Sequence, residues 1–470
     1  MGSEKYRLEH DFLGEKEIPA NAYYGIQTLR AIENFSITRL PISREPLLIK
    51  SFGFVKKAAA MANRDCGVIT KEVADAVIYG SEKLIEGSFL DQFITDMIQG
   101  GAGTSCNMNV NEVIANIGLE HMGKIKGDYD FLHPNNHVNC SQSTNDAYPT
   151  AFRIALYKKI EVFIQSMQQV QNAFAKKGNE FKDILKMGRT QLQDAVPMTL
   201  GVEFRSYATT IGEDIQRMRE VQRLVTEINM GATAIGTGIN APEGYAEKVT
   251  RYLAAITGLP LTLSPDLIEA TVDTGAYLQI SGTLKRCAVK LSKICNDLRL
   301  LSSGPRTGFN EINLPQMQPG SSIMPGKVNP VIPEVLNQVC FYVAGADTTI
   351  TMACEAGQLQ LNVMEPVIAF SLFTSLEYMT NACDTLSEKC ITGITANHEV
   401  CYSHVMNSVG IVTSLNPILG YEKCSAIAKE ALQTGKTIQQ IVVEEQNLIS
   451  MEKWNEIYSI ENMISPKFII

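Results

Sequence analysis

The chain has no uninterrupted apolar run of about 20 residues, the length a membrane-spanning helix needs, and its opening, MGSEKYRLEHDFLGEKEIP, has no apolar h-region. A secreted or membrane-spanning protein is not expected; a cytoplasmic one is. No cluster of Lys and Arg occurs, and a net charge of −9 gives nucleic acid no basic stripe to bind. The six histidines form no ligand set such as HExxH, so a metal-dependent mechanism is not expected. Eleven cysteines, an odd number with no CxxC pair, read as reduced thiols packed as small apolar side chains, Cys106 and Cys140 included. What remains is an ordinary globular composition, 45% hydrophobic and 19% charged over 470 residues, enough for a large core and several domains.

Periodicity points to a mainly α fold. Up to about Asn145, short helical patterns alternate with polar, glycine-rich loops, and few segments look like strands. After Pro149, Phe152, Leu156, Ile160, Phe163, Met167, Val170 and Phe174 recur at steps of three and four, the spacing of a helix seam. Similar stretches run over Val202–Ile228, Thr274–Ser303, Pro333–Thr351 and Asn362–Glu388. The expected architecture has an N-terminal domain over 1–144, a central bundle of long helices over 145–396 and a small C-terminal domain over 397–470. Seams of this length stay exposed in a monomer, so an oligomer is expected.

Four polar islands interrupt the apolar helices: Gly100–Asn107 (GGAGTSCN), Ser141–Asp146 (SQSTND), Gly188–Pro197 (GRTQLQDAVP) and Gly320–Pro330 (GSSIMPGKVNP). The first is not a dinucleotide loop, because the third glycine position after Gly101 and Gly103 holds Cys106 and no strand precedes it. The second reads as the N-cap of a helix beginning near Asp146, an end that also suits a carboxylate ligand. The third offers Thr190 and Gln191 as uncharged hydrogen-bonding groups, a weak signal alone. The last is not a P-loop, since five residues separate Gly320 from Gly326 and Val328 follows Lys327. It is either an inert turn or a loop whose hydroxyls, N–H groups and lysine close over an anion.

Taken together, the islands resemble the fumarase/aspartase superfamily, whose signature segment GSSxMPxKxNP is matched over its whole length. Within it, GAGTSCNMNVNE, QSTNDAYPT, GRTQLQDAVP, GATAIGTGIN and QLQLNVMEP are similar to the ammonia-lyase branch rather than to class II fumarases. The resemblance extends from Asp11 to about Pro466. It implies a three-domain, mainly helical subunit assembled as a homotetramer around a multi-subunit helical core, each active site combining residues from three subunits. The implied reaction converts L-aspartate to fumarate and ammonia through a Cβ carbanion whose charge spreads into the neighbouring carboxylate as an aci-carboxylate.

Carried over by motif position, Ser321 is the implied general base, acting as an alkoxide near Lys327 and just before a helix following Pro333. Thr104, Ser143, Thr144 and Ser322 are implied to hold the β-carboxylate and its aci form. Lys327 and Asn329, assisted by Thr190, would grip the α-carboxylate, and Asn145 and Gln191 the α-ammonium, which Thr104 could share. Fumarases and some aspartases place histidine where this chain has Gln191, paired in fumarases with the glutamate matching Glu334, which is left here without a role. An uncharged Gln191 suits an amine, which leaves as neutral ammonia, better than hydroxide, which needs an acid. The resemblance implies no organic cofactor and allows a divalent cation such as Mg²⁺ as an activator. Two alternatives stay open: a class II fumarate hydratase acting on malate, and a non-catalytic protein on the same scaffold, as among lens proteins related to argininosuccinate lyase.

Overall fold

The computed structural model describes residues 5–464, so the first four residues of the opening segment and the far end of the resemblance at Pro466 lie outside the described residues. An antiparallel hairpin, β1 (Tyr6–Asp11) and β2 (Gly14–Pro19), leads into α1 (Ile26–Asn34), α2 (Pro46–Asp65), α3 (Lys71–Ile85) and α4 (Thr104–His121). The long α5 (Thr144–Glu180) is followed by a second hairpin, β3 (Leu185–Thr190) and β4 (Gln193–Thr199), and by α6 (Leu200–Gln222). A short parallel pair, β5 (Glu227–Ile228) and β6 (Thr262–Leu263), brackets α7 (Tyr245–Thr257) and precedes α8 (Glu269–Val272) and α9 (Gly275–Leu301). Strand β7 (Ile312–Asn313) comes before α10 (Val331–Glu355) and α11 (Glu365–Lys389) and pairs with β8 (Thr395–Ala396). The last described elements are α12 (His398–Asn407), α13 (Asn416–Leu419), α14 (Tyr421–Thr434), α15 (Met451–Ile457) and α16 (Ile460–Ile464).

The residues group into two compact units. The first comprises Met1–Ile164, Gln216–Arg286 and Tyr342–Tyr378. Its core includes the α2 seam Leu48, Phe52, Val55, Ala59 and Ala62, at steps of four and three and all but inaccessible. Against α2 pack α3 and α7, and α4 packs on α1 and α3. The second unit comprises Gln165–Ile215, Cys287–Phe341 and Met379–Ile470. In its C-terminal part Leu185 and Met187 of β3 pack with Val405 of α12, Ile411, Leu415, Ile427 of α14, and Trp454 and Ile457 of α15. Helices α5, α6, α9, α10 and α11 contribute residues to both units.

The seven seam residues from Phe152 to Phe174 are all completely buried, as the spacing required. The helix nevertheless begins at Thr144, well before that seam, with Pro149 inside it. Proline has no N–H to donate to the carbonyl of Asn145 four residues back, and that carbonyl instead accepts from Asn229 Nδ2 at 3.0 Å. A distant side chain thus supplies the bond that proline removes. Helix α10 likewise starts at Val331, ahead of Pro333, because proline is tolerated in a first turn where its N–H would be unpaired anyway. The expected helix over Val202–Ile228 ends at Gln222 and passes through a 3₁₀ turn into β5. All eleven cysteines are free thiols, Cys106 buried and Cys140 half-buried.

Candidate active site

In the first unit the polar islands converge at the N-termini of α4 and α5. Gly101, Ala102 and Gly103 all have positive φ, and Gly103 admits no side chain, since a Cβ there would lie 2.3 Å from the Tyr148 ring. This turn delivers Thr104 as the first residue of α4, exposed, with Oγ1 donating to Gly101 O at 2.7 Å. Thr104 lines a cavity of about 680 Å³ together with His10, Arg30, His133 and Asn135. One turn further along α4, Asn107 Nδ2 donates to Thr144 Oγ1 at 3.2 Å, which joins the first island to the second.

The second island is built as a reciprocal cap. Ser143 Oγ accepts from Asn145 N at 3.2 Å, while Ser143 N donates to Asp146 Oδ1 at 2.9 Å. The other Asp146 oxygen accepts from Gly231 N and Thr233 N, both at 3.1 Å, so one buried carboxylate ties the helix end to the 231–240 loop. Burial pushes the Asp146 carboxyl up to about 6 against the pull of these N–H donors. Asn145 Nδ2 donates to Ala234 O at 2.7 Å, leaving Oδ1 as the side-chain acceptor, the polarity an ammonium group needs. Only one hydroxyl of the island serves the cap; Thr144 is not needed for it.

The other candidates belong to the second unit. Thr190 and Gln193 close the β3–β4 hairpin, with Gln191 and Leu192 as its two-residue tip, both at positive φ and exposed. Neither is the Asn or Gly such a turn favours, and strain of this kind marks functional tips. Below the tip, Arg189 and Lys186 pair with Glu311 at 2.7 and 3.0 Å, and His404 Nδ1 lies 3.2 Å from the same carboxylate. Although burial alone would raise it, these two cations hold the Glu311 carboxyl below its ordinary value.

The loop Gly320–Pro330 closes on itself. Gly320 N donates to Lys327 O at 2.7 Å and Asn329 Nδ2 to Gly320 O at 2.6 Å. A Cβ at position 320 would meet Lys327 O at 2.6 Å, so only glycine permits the closure. Inside it, Ser321 Oγ accepts from the backbone N–H of Ile323 at 3.2 Å and of Met324 at 2.9 Å. Two converging donors favour a charged oxygen over a neutral one. Ser322 and Lys327 are exposed, as are Ile323 and Met324, while Ser321 and Asn329 are half-buried. One amide hydrogen of Asn329 fastens the loop, which leaves the second for a ligand.

A family model described as lyase matches residues 14–345, and one described as fumarase C C-terminus matches residues 411–465. The chain belongs to the fumarase/aspartase superfamily. Among its curated members, an aspartate ammonia-lyase of Pseudomonas aeruginosa is 58% identical over 464 residues, covering 98% of each chain. That of Helicobacter pylori (strain J99) is 56% identical over 460 residues, again 98% of each, and that of Escherichia coli (strain K12) is 55% identical over 467 residues, 99% of this chain and 98% of that one. Among solved structures of the superfamily, a fumarate lyase:delta crystallin from Brucella melitensis matches with a TM-score of 0.96 at 48% identity, covering 98% of this chain and all of that one. A class II fumarase from Schistosoma mansoni matches with a TM-score of 0.90 at 33% identity over 98% of both. The mainly helical expectation therefore holds.

Sequence reasoning missed the polar interior of α4, where Asn107, Asn109, Asn111, Glu112 and Asn116 are all buried. The signal was present in NMNVNE, an asparagine-rich stretch inside an otherwise apolar helix, because asparagine is a poor helix former that needs a reason to be there.

Proposed function

We propose that this chain is an aspartate ammonia-lyase, converting L-aspartate reversibly to fumarate and ammonia. The observation that carries this reading is identity of 55–58% over nearly the full length with relatives bearing that activity in their names. The Cβ proton of aspartate is barely acidic, and its removal loads two negative charges onto the adjacent carboxylate, so catalysis rests on donors set in advance. Ser321 acts as the base: two N–H groups at its oxygen favour the alkoxide, and closure of the exposed loop excludes water from it. Thr104, Ser143, Thr144 and Ser322 donate to the β-carboxylate. Lys327, Asn329 and Thr190 hold the α-carboxylate, and Asn145 Oδ1 and Gln191 take the α-ammonium.

The assembly is a homotetramer in the cytoplasm, its subunits organised over 1–144, 145–396 and 397–470, and each site draws its islands from three subunits. No organic cofactor takes part, because the substrate's own carboxylate is the electron sink; a divalent cation such as Mg²⁺ acts at most as an activator. The partner is a small dicarboxylate, not nucleic acid, in keeping with the charge of −9. No helix among the described residues is long and apolar enough to cross a membrane. Incubation with aspartate and, separately, malate tests the assignment: fumarate is expected from aspartate alone. Fumarate from malate alone would make the chain a hydratase, and none from either a non-catalytic relative.

A further inference from the structure

Lys56 of α2 is a fully buried cation with no part in the chemistry above. Its Nζ donates to Asn107 Oδ1 at 2.7 Å, Gln142 Oε1 at 2.9 Å and Asn139 Oδ1 at 3.0 Å. An ammonium carries three hydrogens and no acceptor, so every amide that meets it must present oxygen. This condition fixes the Asn107 side chain: with Oδ1 on Lys56, its NH₂ turns toward Thr144 Oγ1 at 3.2 Å and Asn139 Oδ1 at 3.1 Å. The surrounding amides lock the same sense, since Asn139 Oδ1 also accepts from Asn111 Nδ2 at 3.1 Å and Gln142 Nε2 donates to Val138 O and Cys140 O, both at 3.0 Å. Thr144 Oγ1 is thereby an acceptor toward the protein interior, and its own hydrogen must point elsewhere.

We propose that Lys56 is a positioning residue that, acting through Asn107, fixes Thr144 as a hydrogen-bond donor to the substrate's β-carboxylate. The inference rests on the contact between Thr144 and that carboxylate proposed above. A free hydroxyl turns either way, whereas an aci-carboxylate accepts only, and a donor already oriented avoids reorganisation as charge develops. Burial pulls the Lys56 ammonium down to about 7, with the buried Asp146 carboxylate pushing it up. An apolar side chain of similar length would avoid that desolvation, so what the ammonium contributes is the polarity of the network.

Asn107→Asp tests this with little change of shape. Aspartate at 107 keeps an oxygen for Lys56 but has no hydrogen for Thr144, whose hydroxyl then turns inward to donate. In the assembled variant kcat is expected to fall about a hundredfold, with KM for aspartate changed only a few-fold. A nitronate, isoelectronic with the aci-carboxylate, should lose affinity by a similar factor, while succinate binds within a few-fold; equal loss for both would mean charge repulsion and overturn the proposal. Unchanged kcat and nitronate affinity would overturn it too. Lys56→Met, which frees Asn107 to turn over, gives an independent route and is expected to shift the same two quantities in the same direction by less. Thr144→Ala separates the layers: nitronate affinity kept in that variant defeats the contact itself, whereas affinity lost there but kept in Asn107→Asp defeats only the relay. Thr144→Ser retains the hydroxyl and should restore most of the activity.

Discussion

Ser321 and Glu112 show how differently two polar side chains answer to backbone donors. At Ser321 two N–H groups converge on a half-buried hydroxyl inside a loop, and Ser321→Ala is expected to lower turnover by roughly three orders of magnitude with assembly unchanged. Near-normal fumarate production by that variant would remove Ser321 as the base. Glu112 lies buried on α4 and accepts from the N–H groups of Gly25 and Gln27 at 2.8 Å and Thr28 at 3.1 Å, and from the Thr28 hydroxyl at 2.6 Å, all at the start of α1. Burial pushes its carboxyl from the ordinary 4.5 up to about 7 against these donors. The folded protein therefore holds this proton more tightly than the unfolded chain. That contribution is complete below about 4.5 and is lost as the pH rises through about 7. Glu112→Gln should flatten this part of the stability curve and lower stability at acidic pH by about 1–3 kcal/mol, measured by chemical unfolding across a pH series; an unchanged slope would mean that Glu112 does not set it. The motif residues Ser321, Lys327 and Asn329 were legible because their spacing is local. Glu112, Asn107 and Lys56 were not, because their partners lie between roughly 30 and 90 positions away and nothing local marks a polar residue as buried.

Among the elements, the helix seams were legible, and the few short strands were left unlocated. A period of 3.6 sustained from Phe152 to Phe174 leaves no doubt about α5, whereas β1, β2, β3 and β4 have six or seven residues each and no glycine at the β3–β4 tip. The start of α5 was expected near Asp146 and falls at Thr144, where a remote side chain replaces the local bond that Pro149 removes. The Asn145 carbonyl opposite Pro149 makes that replacement testable. Asn229→Leu should destabilise the protein by about 1–3 kcal/mol, because the carbonyl loses its donor. Adding Pro149→Ala restores an N–H at the helical position and should recover part of the loss. Thermal unfolding of the two single variants and the double variant measures the coupling, and strict additivity would show that the two positions are independent.

At the scale of the molecule, α10 exposes Phe341 by 65% and Met352 by 68%, with Val335 and Tyr342 also accessible, an apolar surface that a lone subunit leaves in water. Charging it in the double variant Phe341→Glu, Met352→Glu should dissociate the proposed tetramer and abolish turnover together, as followed by light scattering and fumarate absorbance. Full activity from a monomeric species would defeat the composite site. Contact in space groups the chain into two units, each assembled from three separate segments. No linear reading could have traced those divisions, since long helices carry the chain from one unit to the other. The lone tryptophan, Trp454, lies 3% exposed in the C-terminal core of the second unit, with the Tyr458 ring 4.1 Å away. The protein therefore carries a single tryptophan, whose selectively excited emission reports on that core alone. Its red shift on denaturation follows the melting of one unit, while far-ultraviolet circular dichroism follows the helices of both, and a gap between the two curves would measure how far their cooperativity extends.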